Sequence, residues 1–238
     1  MRKSIVNWIK GQIKDSGAKG IVMGLSGGVD SAVVAALCKE AVGKNRVLAL
    51  TLPCNSQKHD LKDASIIARK LGLKHRVIDL SRTYNDLMRI LPAAGKLAQS
   101  NLKPRLRMLA LYYYANKLNY LVCGTGNKSE LMVGYFTKHG DGATDILPIG
   151  DLLKKEVRAL AIELGIPLKV ILKAPTAGLW AGQTDEGEMG ITYPELDDIL
   201  ERMENKKKQA LPKAKVNKIK KMIERSGHKR QGPKICHL

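Results

Sequence analysis

The sequence predicts an α/β fold, a doubly wound parallel sheet flanked by helices, and three observations predict it. Short apolar runs, KGIVMGL (19–25), RVLALTL (46–52), HRVID (75–79) and YLVCGT (120–125), recur between longer segments with helical spacing. The runs are apolar at successive positions, as strands covered on both faces are. The first run ends in Ser-Gly-Gly-Val-Asp-Ser (26–31) and passes at once into an alanine-rich helical segment. Such a strand–loop–helix unit puts its ligand at the carboxyl end of the strand.

The remaining elements follow in order. Ile5, Trp8, Ile9 and Ile13 lie at helical spacing, and Lys10 and Lys14 interrupt any continuous apolar stretch, so the chain opens with an amphipathic helix. A helix to about Ala41 follows the first strand, and a pattern through Ile66, Ile67 and Leu71 follows the second. Helices are predicted over 83–91 and 103–118, with the fourth strand next. The character then changes: 134–145 is a glycine-rich loop, 151–164 an amphipathic helix stopped by Gly-Ile-Pro, and 175–190 a second long glycine-rich loop. Two such loops in a compact chain point to substrate loops or lids. From Asn205 to Leu238 there are twelve Lys and Arg against one acid, Glu224, and Val216, Ile219, Met222 and Ile223 form one stripe, predicting a docked basic helix. No internal repeat or low-complexity linker interrupts the chain, which reads as a single domain over 1–238 with a basic tail from about 205.

Composition bounds the function. The 238 residues are 44% hydrophobic and 26% charged, ordinary globular usage that supports a sizeable core. The formal charge of +19 calls for anionic partners. No run has the length of a bilayer span and the start is not secretory, so a cytoplasmic protein without membrane association is expected. Cys38, Cys54, Cys123 and Cys236 form no Cys-x-x-Cys pair, which argues against a disulfide framework or a local zinc site. Cys38 reads as a buried thiol, while Cys54 and Cys123 each follow a predicted strand.

The segment Gly24, Leu25, Ser26, Gly27, Gly28, Val29, Asp30 and Ser31 is the expected ATP-binding loop. Gly27 and Gly28 admit a tight turn and close approach of the backbone to an anion. The next helix aims free N–H groups and its positive dipole end at the same spot. A loop built to transfer a γ-phosphate carries a lysine after the glycines. Here Asp30 stands instead, an oxygen ligand suited to Mg²⁺. That exchange favours holding pyrophosphate as a leaving group, with attack at the α-phosphorus.

The loop resembles that of the ATP pyrophosphatases, a superfamily with the Rossmann-like adenine nucleotide alpha hydrolase fold. GTGNKSE (124–130), GYFTKHGDGATDILPIGDLLKKEVRALA (134–161), PTAGLWAGQTDEGEMGITYPELD (175–197) and GHKRQGP (227–233), in that order, are similar to the ammonia-dependent NAD synthetases within it. The resemblance implies ATP contacts at Thr125, Lys154 and Thr176, and a Mg²⁺ site at Asp30 and Glu130. It implies contacts to the dinucleotide substrate, deamido-NAD, at Arg105, Lys138, Asp145, His228 and Lys229, with Arg107 a local competitor for Arg105. It also implies a ligase reaction: the nicotinate carboxylate attacks the α-phosphorus of ATP, pyrophosphate leaves, and ammonia displaces AMP from the adenylate to give NAD. Asp151 and Asp185 are candidates for the base that deprotonates ammonium. Loops 134–142 and 178–190 would exclude water from the adenylate. The phosphate loop at residue 26 leaves no preceding room for an amidotransferase domain, so free ammonia is the expected nitrogen donor, and the family implies a homodimer. LPCNSQKHD (52–60) departs from the family pattern around Cys54.

Two other readings compete. The basic tail would suit RNA, and Cys54 with Cys123 could relay sulfur in a tRNA-thiolating enzyme. No zinc knuckle or separate RNA module accompanies them, so a nucleic-acid partner is not expected. A nucleotide sensor without turnover would not require the second carboxylate at Glu130 or the terminal His228–Lys229 pair.

Overall fold

The computed structural model describes residues 1–180, 182–205 and 212–236; residue 181 of the second glycine-rich loop and residues 206–211 and 237–238 of the basic tail lie outside the described residues. Strands β1 (Gly20–Gly24), β2 (Val47–Thr51), β3 (Lys74–Val77) and β4 (Tyr120–Cys123) form one parallel sheet in the order β3-β2-β1-β4. The chain runs outward from β1 to β2 and β3, then returns to place β4 on the other side of β1. The order therefore reverses between β1 and β4, and a crevice opens at their carboxyl ends.

Successive side chains of each strand face opposite layers. Ile21, Met23 and Ala49 enter one core with α1 (Arg2–Ser16), α2 (Val29–Val42), α3 (Lys58–Leu71) and α8 (Lys154–Glu163). Val22, Leu48, Leu50 and Val122 enter the other, against Leu111 and Ala115 of α6 (Leu102–Leu118). Helix α4 (Ser81–Ile90) packs beside α6, and α5 (Lys96–Ser100) precedes it. A third cluster joins α7 (Lys128–Val133), α11 (Tyr193–Glu204) and α12 (Lys213–Arg225) around Tyr193, Leu196 and Ile219. Val216, Met222 and Ile223 of α12 pack against that cluster, so this basic helix is docked.

Four details correct the sequence reading. Trp8 is 44% exposed, because the apolar stripe of α1 centres on Val6, Ile9 and Ile13 and Trp8 lies one residue, about 100°, from Ile9. β3 is not covered on both faces: it is an edge strand and leaves Lys74, Arg76 and Val77 exposed. The helix predicted from 151 begins at Lys154, after a tight turn held by Leu152 N to Ile149 O. The loop 175–190 contains a short helix, α10 (Asp185–Met189), whose N-cap Thr184 accepts from Gly187 N.

Candidate active site

The phosphate loop leaves β1 at Gly24 and turns into α2 at Gly28. Gly27 has φ +84°, and a Cβ there would stand 2.6 Å from Asp60 O in α3. Only glycine fits that turn against that helix. Ser26 Oγ and Ser31 Oγ lie 3.1 Å apart, Ser31 Oγ donates to Gly28 O at 3.0 Å, and Gly28 N donates to Ser26 Oγ at 3.2 Å. The first helical bond is Ala32 N to Gly28 O, so the N–H groups of Val29, Asp30 and Ser31 precede the helical ladder.

Asp30, Glu130 and Lys154 meet beside this turn. Lys154, at the first residue of α8, is 2% exposed, and its Nζ donates to Asp30 Oδ2 at 2.7 Å and Glu130 Oε1 at 3.3 Å. Asn127 orients both acids. Its Nδ2 donates to Asp30 Oδ1 at 2.9 Å, and it caps α7 by accepting from Glu130 N while its own N–H donates to Glu130 Oε2. Tyr193 OH contacts Glu130 Oε1 at 3.2 Å and Asp185 Oδ2 at 3.0 Å, and its ring lies 4.7 Å from Lys154 Nζ. Burial pushes the Glu130 carboxyl up to about 7, against the pull of Lys154. Burial opposes the Lys154 charge, yet Asp30 and Glu130 hold its ammonium above the ordinary lysine range.

These groups open on a cavity of about 610 Å³ at the β1–β4 switch point. Its wall includes the phosphate loop except Gly27, whose place is against α3, together with Thr125, Glu130, Lys154 and Thr176. Arg105, Lys138, His228 and Lys229 line it as well. Arg105 Nη2 donates to Lys138 O at 3.3 Å and Lys138 Nζ to His228 O at 2.7 Å, so three of the expected dinucleotide contacts form one chain of bonds. Lys229 Nζ donates to Gly134 O and Phe136 O at 2.7 and 2.8 Å, which seats the tail on the first loop. A Cβ at Gly134 (φ +71°) would lie 2.1 Å from Ser226 Cβ, so that contact requires glycine.

Some expected residues are not at the cavity wall. Asp145 accepts from Val122 N at 2.7 Å and Tyr112 OH at 3.0 Å, fixing the loop to β4 and α6. Asp151 is 96% exposed beside Lys128, whereas Asp185 is 5% exposed and lines the cavity. Arg107 also lines it, with bonds to Leu52 O and Ser56 Oγ. Thr176 Oγ1 accepts from Gly178 N at 3.1 Å, so it caps a turn within the wall. The sulfur pair of the competing reading is not assembled: Cys123 is the last residue of β4 and does not follow it, its Sγ lies 3.6 Å from Cys38 Sγ, and Cys54 Sγ approaches Leu80 O.

A family model described as NAD synthase matches residues 1–233. The chain belongs to the NAD synthase family. The NH3-dependent NAD synthetase of Archaeoglobus fulgidus is 49% identical, over 98% of this chain and 95% of that protein. A solved NMN synthetase from Francisella tularensis superposes with a TM-score of 0.91 at 40% identity, covering 100% of this chain and 97% of that one. The NH3-dependent NAD synthetase from Campylobacter jejuni, solved with a nitrate ion, gives 0.87 at 31% identity over 99% and 97%. The doubly wound α/β fold is thus that of the solved NAD synthetases.

Sequence reasoning missed three residues of this site: Tyr135 in the cavity wall, and Asn127 and Tyr193 buried behind it. Asn127 carried a readable signal, since Asn-Lys-Ser-Glu (127–130) has the spacing of a capping box. Tyr193 lies one residue past the N-cap Thr192, a position that gave no hint of its contact with Glu130. Tyr135 donates to Glu188 Oε2 at 2.7 Å across the cavity rim, a contact between two loops that no local pattern encodes.

Proposed function

We propose that this chain joins ammonia to deamido-NAD at the expense of ATP, giving NAD, AMP and pyrophosphate. The observation that carries the reading is the pair of carboxylates, Asp30 and Glu130, converging on Lys154 beside a phosphate loop that has no lysine of its own. The loop N–H groups and serines bind the β- and γ-phosphates, and Lys154 offsets their charge. Thr125 and Thr176, in the wall of the same cavity, take the rest of ATP. Arg105, Lys138, His228 and Lys229 take the anionic dinucleotide and set its nicotinate carboxylate in line with the α-phosphorus.

Hard carboxylate oxygens at Asp30 and Glu130, both within reach of one cation, suit Mg²⁺. When bound, that ion supplies positive charge to the departing pyrophosphate. Among the described residues no group of three His, Cys, Asp or Glu forms a metal cage, as fits an ion that takes its other oxygens from phosphate and water. Ammonium binds at Asp185, whose buried Oδ1 has no hydrogen-bond partner, and Asp185 removes its proton. Burial raises the Asp185 carboxyl while Lys154 and Tyr193 draw it back. The enzyme is a homodimer: α6 exposes Leu109 and Tyr113, and the nearby segment exposes Ile90, Leu91 and Leu97, an apolar surface for a second copy. Cytoplasmic residence belongs to the same reading, since ATP and deamido-NAD are cytoplasmic metabolites. Among the described residues no helix is long and apolar enough to cross a membrane.

The Francisella structure's description motivates one second reading, amidation of the mononucleotide. A single assay tests both. Purified protein receives ATP, Mg²⁺ and ammonium with either deamido-NAD or deamido-NMN, and each component is omitted in turn. NAD, AMP and pyrophosphate in equal amounts, with higher kcat/KM for the dinucleotide, are expected. Release of ADP and orthophosphate, or preference for the mononucleotide, overturns the reading.

A further inference from the structure

One ion-pair cluster beside the pocket has no part in the chemistry above. Lys173 lies just beyond the short helix α9 (Leu168–Ile171) and two residues before Pro175, at the root of the second glycine-rich loop. Its Nζ donates to Asp60 Oδ1 at 2.6 Å and to Asp63 Oδ2 at 3.0 Å, both on α3. Asp63 is 3% exposed and has a second cation, Lys169, at 2.7 Å. Asp60 faces the cavity, and beside Lys173 its only other ion-pair partner among the described residues is the exposed ring of His59, with Nε2 3.2 Å from Oδ1. Lys173, Asp60, Ser26, Gly28 and Thr176 line the same wall. The turn of α3 that carries the two acids is also the one pressed against Gly27.

A bare carboxylate at this place would face the triphosphate that the loop is built to hold, and repulsion in a partly dry cavity is poorly screened. We propose that Lys173 is a positioning residue for ATP: it neutralises Asp60 beside the phosphate loop and, by the same bonds, ties the Thr176 loop to the helix that braces Gly27. The proposal rests on the ATP-binding reading of the cavity. Lys154 does not duplicate this role, since its acid partners are Asp30 and Glu130 and not Asp60.

The design predicts suppression. Lys173→Met uncovers Asp60 and raises the KM for ATP about tenfold, with a smaller change in kcat and in the KM for deamido-NAD. Asp60→Asn added to Lys173→Met removes the offending charge and returns the ATP KM to within about threefold of the parent. Lys173→Arg keeps the charge and stays near the parent. Trp180 gives a readout independent of turnover, because it lies on the tethered loop with Lys96 Nζ 4.3 Å from its ring centre. In a Trp8→Phe chain Trp180 is the remaining tryptophan, and the ATP concentration that half-changes its emission shifts with the kinetic KM.

An unchanged ATP KM in Lys173→Met, or a second substitution that fails to suppress, overturns the proposal. Should Lys173→Met not fold, Asp60→Asn alone decides: with one negative charge removed from the cavity and Lys173 still held by Asp63, the ATP KM falls about threefold, and an unchanged or raised KM overturns the proposal. Parent protein that makes no NAD defeats the functional reading itself, whereas a parent that turns over beside an unsuppressed variant defeats only the role of Lys173.

Discussion

Lys154 is 2% exposed, and the two acids it holds are 18% and 17% exposed, so water replaces its ammonium only in part. Lys154→Met strands two negative charges and costs about 3 kcal/mol of stability, measured by urea unfolding. On the proposed reading it also lowers kcat by about 10²–10³-fold, measured by pyrophosphate release, since a preorganised cation beside the departing pyrophosphate is lost. A second residue-scale prediction concerns pH. Thr51 gives its proton to Leu25 O, so His75 Nε2 is the donor in the 2.8 Å contact with Thr51 Oγ1. Burial lowers the His75 pKa from 6.5, so below that pH the unfolded chain binds more protons than the native one. The stability His75 contributes is present above pH 6.5 and lost as pH falls through its native value. His75→Gln therefore narrows the difference in melting temperature between about pH 8 and pH 5, and an unchanged difference refutes the assignment. At this scale the sequence was legible where residue type and local spacing suffice, as with Asp30 and the serines of the loop. Tyr193 and Asp60 were not legible, because their partners lie on elements distant in sequence.

The tail shows what an element adds beyond its charge. Helix α12 buries Ile219, and the turn after it, Gly227–Lys229, sets Lys229 on two carbonyls of the first loop. Arg230 completes the seat with bonds to Leu131 O and Met132 O. Lys229→Met leaves those carbonyls without their donor and loosens Lys138, whose own partner is His228 O. The KM for deamido-NAD then rises about tenfold while the ATP KM stays within about twofold, as steady-state kinetics would show. Equal change in both would mean that the tail braces the whole pocket. The apolar stripe of α12 was readable from period alone, because 3.6-residue spacing fixes a face. The exposure of β3 was not, since the same apolar string serves a central or an edge strand and only pairing decides which. Nor was α10, whose Thr184 cap and Gly190 stop, only six residues apart, look like any polar loop.

Across the whole molecule, α6 is apolar on more than one side. Its inner side packs on the sheet through Ala115 and Leu111, while Leu109 and Tyr113 remain 60% and 62% exposed. A helix apolar all round is ordinarily covered on both faces. Arg105 projects from the same helix at the cavity wall, so a second copy seated on this surface would stand beside the proposed dinucleotide contacts. The double variant Leu109→Glu, Tyr113→Glu places like charges opposite one another across a two-fold interface, because each residue meets its own face in such a contact. If the proposed homodimer holds, the parent sediments at twice the subunit mass and the variant at about half of that, and the KM for deamido-NAD is expected to rise more than that for ATP, whose loop is braced within one chain by α3. A parent that sediments as a monomer overturns the homodimer, a variant as heavy as a dimeric parent moves the interface elsewhere, and a monomeric variant with unaltered dinucleotide KM shows that each pocket is complete within its own subunit.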